Sequence, residues 1–89
     1  ASTDFGNVSV RVPGIHPLLQ IAPEGTALHT REFAEAAASE FALSGIADGA
    51  YGLAATAMDF LSDDALADAV AADFVAAGGV LDVAHLFDA

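Results

Sequence analysis

The chain has 89 residues, of which 13 are Asp or Glu and only 2 are Arg or Lys, so its formal net charge is −11. Such a charge repels phosphate groups and argues against nucleic acids and anionic membrane surfaces as partners. The sequence contains no cysteine, which excludes disulfides and thiolate metal sites and fits a cytoplasmic protein.

The chain is also unusually apolar for its length. Hydrophobic residues make up 55% of it, and the mean hydropathy is +0.54. A domain of this size buries only about 60 to 65% of the surface that its unfolded chain exposes. We interpret the excess as surface that another part of a larger protein covers, and we expect the isolated chain to self-associate. No run reaches the roughly 20 apolar residues of a membrane span.

The first part of the chain has strand-like patterns. Residues 2–7 form a polar stretch typical of a loop, and residues 8–12 alternate between apolar and polar side chains. After Pro13 and Gly14, residues 15–22 are almost continuously apolar, which is typical of a strand buried on both faces. A turn is predicted at residues 23–25. The start without Met and directly before a strand suggests a chain cut from a larger one.

Helical patterns follow. Thr30 is a plausible N-cap for a short helix to about Ala38, and Ser39 for a long helix over residues 40–61. The long helix has an apolar stripe that we expect to face the core, and glycines at 45, 49 and 52 that we expect to lie against a sheet. Its stripe comprises Phe41, Ile46, Leu53, Ala57 and Phe60 or Leu61.

A further helix is predicted after the Ser62-Asp63-Asp64 cap. It runs to about Ala77 and is closed by two glycines, while residues 80–89 fit a strand, a helical turn or a frayed end equally well. Two strands cannot form a stable sheet alone. The sequence therefore predicts an α/β fragment: about two strands of a larger mixed sheet, followed by two to three helices.

Histidines are the main candidates for chemistry. His29 precedes a helix, and Asp4 precedes the first predicted strand, so both would emerge at one edge of the predicted sheet. Imidazole and carboxylate suit zinc, but a catalytic zinc site needs about three protein ligands. His16, beside a proline, is more typical of a structural histidine, and His85 has no useful spacing to other ligands.

Other candidate groups are weaker. Glu32 and Glu35 stand at i and i+3 on the short helix, and we interpret them as a solvent-facing pair. No glycine-rich phosphate loop, nucleophile elbow or prosthetic-group attachment motif is present in the sequence.

Three motifs together resemble a known enzyme family. The sequence resembles the closing part of the catalytic domain of M20-family metal-dependent amidohydrolases and peptidases, most closely the aminobenzoyl-glutamate hydrolase and aminoacylase-like branch. The resemblance covers about residues 2–75, and Phe5 stands where Met is common in the family. The motifs are Ser2-Thr3-Asp4-Phe5-Gly6-Asn7-Val8-Ser9, Val12-Pro13-Gly14-Ile15-His16-Pro17 and His29-Thr30-Arg31-Glu32-Phe33.

The resemblance implies roles for particular residues. His29 would be the last metal ligand of the chain, and His16 would be close to the substrate. The active site would be lined by a loop comprising Ser2, Thr3, Asp4, Gly6 and Asn7. The intact enzyme would hold two divalent metal ions, zinc or manganese, and would hydrolyse the amide bond of a small N-acyl or aminoacyl compound through a metal-activated water.

The family's remaining motifs are not in the sequence. His-x-Asp, the bridging Asp and the Glu-Glu pair are all missing. We therefore interpret residues 1–89 as the C-terminal part of an incomplete M20-like catalytic domain, with no separate second domain and no catalytic residue of its own. Alone it would bind no metal and be inactive, and its main partner would be the remainder of its own domain. The alternative is a small acidic interaction module that docks its apolar face on another protein.

Overall fold

The computed structural model describes residues 3–88, and its regular elements are helical. The α-helices are α1 (Phe5–Ser9), α2 (Arg31–Ala37), α3 (Glu40–Ser62) and α4 (Asp64–Ala76), and a 3₁₀ turn spans Val83–His85. The chain divides into two compact units, residues 17–58 and the remainder on both sides of them. The α3 helix contributes to both, because the division falls between Met58 and Asp59.

The prediction of an α/β fragment with two strands is wrong: within residues 3–88 there is no β-strand. Residues 5–9, predicted as loop and strand, form α1 instead. An alternation of five residues is a short signal, and a strand is stable only when other strands bond to its backbone. Phe5 instead packs within its own unit, where its ring lies 2.9 Å from the position that a Cβ atom on Gly14 would occupy.

Residues 13–21 are extended but pair with no strand in the described part of the chain. Proline at positions 13 and 17 removes two backbone donors from this segment. Its nearly continuous apolar residues predicted burial on both faces, yet Leu18 is 88% exposed. The segment therefore contacts a helix through a few side chains at its end and does not form part of a ladder.

The contact of this segment with α3 depends on two glycines. A Cβ atom on Gly45 would lie 3.1 Å from Cγ2 of Ile21, and one on Gly49 would lie 2.8 Å from Cδ1 of Leu19. The predicted close approach at these glycines is therefore confirmed, but their neighbour is the extended segment and not a sheet. Gly52, the third glycine of the series, has nothing within 4 Å of its Cβ position.

The long helix buries different residues from those predicted. Its buried residues are Ala42 and Gly45. The predicted core stripe is largely exposed: Phe41 is 54% accessible, Ile46 64% and Leu53 51%. Small residues are buried here because only they let the extended segment approach the helix backbone.

The ends of the three later helices agree with the sequence prediction. The Oγ atom of Ser39 accepts a hydrogen bond from the backbone N–H of Ala42 at 3.2 Å, which caps α3. Asp63 caps α4, and its Oδ1 accepts from the N–H of Ala65 at 3.0 Å. After α4, Gly78 and Gly79 take positive φ angles of 125° and 65°, which suit glycine.

The unit that contains both chain ends is held partly by the backbone. The N–H of Leu81 donates to the carbonyl of Val10 at 2.9 Å, which ties the segment after α4 to the end of α1. A small cavity of about 260 Å³ lies beside this bond, lined by Ser9, Val10, Phe74, Ala77, Gly78, Gly79 and Leu81. Among residues 3–88, no helix combines the length and apolarity that a bilayer crossing requires.

The glycine contacts generate a testable ranking. Gly52→Ala should raise the free energy of unfolding by up to about 1 kcal/mol, because alanine favours a helix interior and the space is open. Gly45→Ala should raise the free energy of unfolding clearly less, or lower it, since the stiff β-branched Ile21 must move. Thermal unfolding followed by circular dichroism measures both. Equal stabilisation by the two substitutions would contradict the packing of the extended segment on α3.

Candidate functional site

His29 lies in a turn immediately before α2 and has an unusual backbone conformation. Its φ angle is +61°, and it is the one non-glycine residue with positive φ in the described chain. Histidine is among the residues that enter this left-handed region more often than most. The residue is exposed, and its ring has no hydrogen-bond partner among residues 3–88.

The turn and the helix after it fix the place of His29. The Oγ1 atom of Thr30 accepts from the N–H of Phe33 at 3.2 Å and donates to the carbonyl of Ala27 at 2.7 Å. One hydroxyl thus caps α2 and closes the turn around His29. The predicted N-cap is confirmed, and it holds the histidine backbone directly beside the start of a helix.

A second turn precedes this one. The hydroxyl and N–H of Thr26 both donate to the carbonyl of Pro23, at 2.7 Å and 3.1 Å, and Gly25 has a φ of +85°. The predicted turn at residues 23–25 is confirmed. Two consecutive turns therefore connect the extended segment to α2, with His29 in the second.

The predicted active-site loop lies in the other compact unit. Ser2 falls outside the described residues, and Thr3 and Asp4 precede α1. Gly6 and Asn7 are inside that helix, so the prediction of a loop through residue 7 is wrong. Thr3 supports the helix start, because its Oγ1 accepts from the N–H of Phe5 at 3.3 Å.

Asp4 is the N-cap residue of α1 but forms no side-chain capping bond, and it is exposed. The sequence placed Asp4 and His29 together at the edge of a sheet. No sheet exists in the described residues, and the two belong to different compact units, so that argument for a shared site no longer holds.

His16 does meet the predicted active-site segment. Its ring centroid lies 4.8 Å from that of Phe5, with the two planes tilted by 40°. This geometry is within the range of favourable aromatic pairs. The two motifs that resemble the M20 family in this unit are therefore in direct contact through Phe5 and His16.

The remaining candidate groups are on surfaces. The Nδ1 atom of His85 lies 2.7 Å from Oδ2 of Asp82, and both side chains are 69% exposed. Sequence reasoning missed this pair, although the i, i+3 spacing was visible. Glu32 and Glu35 are exposed, as predicted. They line an open groove of about 580 Å³ together with Gln20, Ile21, Pro23, Thr26, Ala36, Ser39 and Phe41.

The described residues do not assemble a metal site by themselves. Within residues 3–88 there is no group of three or more His, Asp or Glu side chains arranged to hold an ion. A catalytic zinc needs about three protein ligands. The residues present therefore do not fit a complete metal centre, and a metal held by His29 would need its other ligands from elsewhere.

Comparison with known proteins identifies two related peptidases. The chain is 44% identical over 73 residues to the Xaa-Arg dipeptidase of Mus musculus, a match that covers 82% of this chain and 17% of that protein. It is 42% identical over 73 residues to the Xaa-Arg dipeptidase of Homo sapiens, covering 82% and 16%. The chain thus spans about one sixth of the length of these curated relatives.

No protein-family model matches the chain, and no solved structure matches it either. The two dipeptidases support an M20 peptidase relationship, as the sequence motifs indicated. They do not single out the aminobenzoyl-glutamate hydrolase branch.

The backbone of His29 can be tested separately from its ring. Glycine at position 29 should be tolerated without loss of stability, because it adopts positive φ at no steric cost. His29→Val should be less stable than His29→Gly by about 1 kcal/mol or more, since a β-branched residue is strained in this region. Urea unfolding at equilibrium measures the difference.

Leu28 supplies the matched control, because its φ is not positive. At that position glycine should be the more destabilising of the two substitutions. If valine were as well tolerated as glycine at position 29, the left-handed turn before α2 would be contradicted.

Proposed function

We propose that the chain is the C-terminal part of an M20-like, metal-dependent amidohydrolase that cleaves an amide bond in a small aminoacyl or N-acyl compound. The observation that carries the proposal is the 44% identity over 73 residues to a dipeptidase. Only 16 of the 89 residues lie outside a match of that length, so the match includes residues 17–73 and with them His29.

The relatives narrow the substrate class that we propose. Both are named for dipeptides whose second residue is arginine. A dipeptide with a C-terminal basic residue is therefore our first candidate substrate, ahead of the N-acyl compounds. Its scissile bond is an amide between two amino acids, which is one form of the aminoacyl bond expected from the sequence motifs.

His29 is the residue that we propose as a metal ligand. Two observations support the role: its imidazole is exposed, and no described residue occupies its nitrogens. The turn fixed by Thr30 would hold the backbone of His29 in one place, from which the ring could reach a metal. The other ligands of the zinc or manganese pair would come from the rest of the enzyme, since residues 3–88 do not group enough ligands to hold an ion.

The segment before and within α1 is the second contribution that we propose. Thr3, Asp4, Gly6 and Asn7 would line the active site, together with Ser2, and His16 would lie near the substrate. The contact of His16 with Phe5 supports a common location for the two motifs. Phe5 would act as a positioning residue for the imidazole and would have no chemical role of its own.

A second candidate function is a small acidic interaction module without catalytic activity. The observation in its favour is the extent of exposed apolar surface, including Leu18, Tyr51 and Phe87 at 88%, 78% and 93%. The two functions differ in one decisive respect: only the hydrolase requires His29 for catalysis.

A chimeric enzyme tests the proposal. In mouse Xaa-Arg dipeptidase, the segment that matches this chain is replaced by the corresponding residues of this chain. The chimera should hydrolyse a dipeptide ending in arginine. His29→Ala should lower kcat/KM by at least about 100-fold and reduce the bound metal measured by elemental analysis, because a lost ligand disrupts the metal centre.

Asp48→Ala is the matched control, since Asp48 is exposed on α3 and lies outside the three motifs. It should leave both activity and metal content unchanged. Full activity and full metal content in the His29→Ala chimera would refute the ligand role. The isolated 89-residue chain with added Zn²⁺ or Mn²⁺ should be inactive, and hydrolysis by it at an enzyme-like rate would contradict the proposed dependence on the rest of the enzyme.

A further inference from the structure

One side of α3 is apolar, free of charge and uncovered. Within the unit formed by residues 17–58, it carries side chains at i, i+3, i+4, i+7, i+10 and i+11, the spacing of a single helical face. All six are exposed. We call this surface the 43–54 face; it consists of Leu43, Ile46, Ala47, Ala50, Leu53 and Ala54.

The side of the same helix that adjoins this face is already occupied. There Ala42 and Gly45 are buried, and Ile21 and Leu19 approach the helix backbone. The apolar surface of α3 is therefore wider than the part that Ile21 and Leu19 cover, and an amphipathic helix turns its apolar surface toward a core. Residues 3–88 cover only the part of this surface at Ala42 and Gly45, so the 43–54 face needs a partner.

The chemistry of the face limits what can cover it. Leu43, Ile46 and Leu53 are 60%, 64% and 51% exposed, and alanines at 47, 50 and 54 lie between them. Alanine allows a neighbouring backbone to come close, so an apolar helix fits this surface well. Asp48, the nearest acidic residue in sequence, is not part of the face.

The occupant that we infer is the remainder of the longer polypeptide. We propose that the 43–54 face packs against an apolar surface contributed by the part of the amidohydrolase that lies outside this chain. This inference rests on the proposed function. The relatives support it, because the matched 73 residues make up only 17% of the mouse protein and most of that protein remains to provide cover.

A second copy of the chain is the less suitable occupant. Each copy carries a net charge of −11, so pairing two copies brings like charges together and opposes association at low salt. A surface of neutral or positive charge within the larger protein has no such cost. Self-association of the isolated chain would then be a substitute contact that forms when the proper neighbour is missing.

The test places one substitution in two contexts. Ala50→Asp puts a carboxylate in the centre of the face, and Ser44→Asp adds the same charge at an exposed position outside it. In the isolated chain, where both positions are exposed, neither should change the helical circular dichroism appreciably. In the chimera with mouse Xaa-Arg dipeptidase, Ala50→Asp should lower Tm by at least about 5 °C, because it would bury a charge, whereas Ser44→Asp should lower it by less than about 2 °C.

The outcomes separate this inference from the proposed function. A chimera that folds and shows the Tm difference but hydrolyses no dipeptide would refute the proposed function. It would still support burial of the 43–54 face. Equal Tm values for the two variants would overturn the buried face even if the enzyme is active. A chimera that does not fold even with the unsubstituted segment would overturn the inference that the rest of the enzyme covers the 43–54 face. The same inference would be overturned if Ala50→Asp abolished self-association of the isolated chain but did not change the Tm of the chimera. The partner of the face would then be a second copy of the chain.

Discussion

The close contact between the extended segment and α3 is the constraint on which the unit of residues 17–58 depends. Gly45 and Gly49 leave room for Ile21 and Leu19 at distances that a methyl group would fill. The buried hydrophobic residues among those described, Ala22 and Ala42, lie in this region. A unit with so little buried volume gains little from the hydrophobic effect, so its order depends on close fit and on local hydrogen bonds.

Those local bonds explain why His29 has a defined place although it is exposed. The hydroxyl of Thr30 both closes the turn before α2 and caps that helix, and the turn at residues 23–26 is closed in a similar way by Thr26. Such bonds join residues three apart and need no partner elsewhere in the protein. The position that we propose for a metal ligand is therefore built from the chain's own short-range interactions.

The sequence could predict features that depend on short-range interactions but not those that depend on distant partners. Helix caps at Thr30, Ser39 and Asp63 and the closing glycines at 78 and 79 act within a few residues, and the predicted helices agree with the structure. The two strands depended on partners that the sequence could not identify, and the described residues form helix or unpaired extended chain there.

Packing and side-chain contacts were likewise not predictable from the sequence. The apolar stripe of α3 was assigned to the core because large side chains usually lie there, whereas the structure buries alanine and glycine. The left-handed conformation of His29 and the contact of His16 with Phe5 had no recognisable sequence signal. The motifs nevertheless indicated the M20 relationship that the two dipeptidases support.

The start of α2 has a consequence for how the chain can be studied. The sequence has no lysine, and its two arginines are Arg11 and Arg31. Arg31 is the first residue of α2, directly beyond the turn that holds His29. Trypsin cleaves after arginine only where the backbone opens locally, so cleavage after Arg31 would report opening of this helix start. The long acidic remainder of the chain, including α3 and α4, offers trypsin no other site.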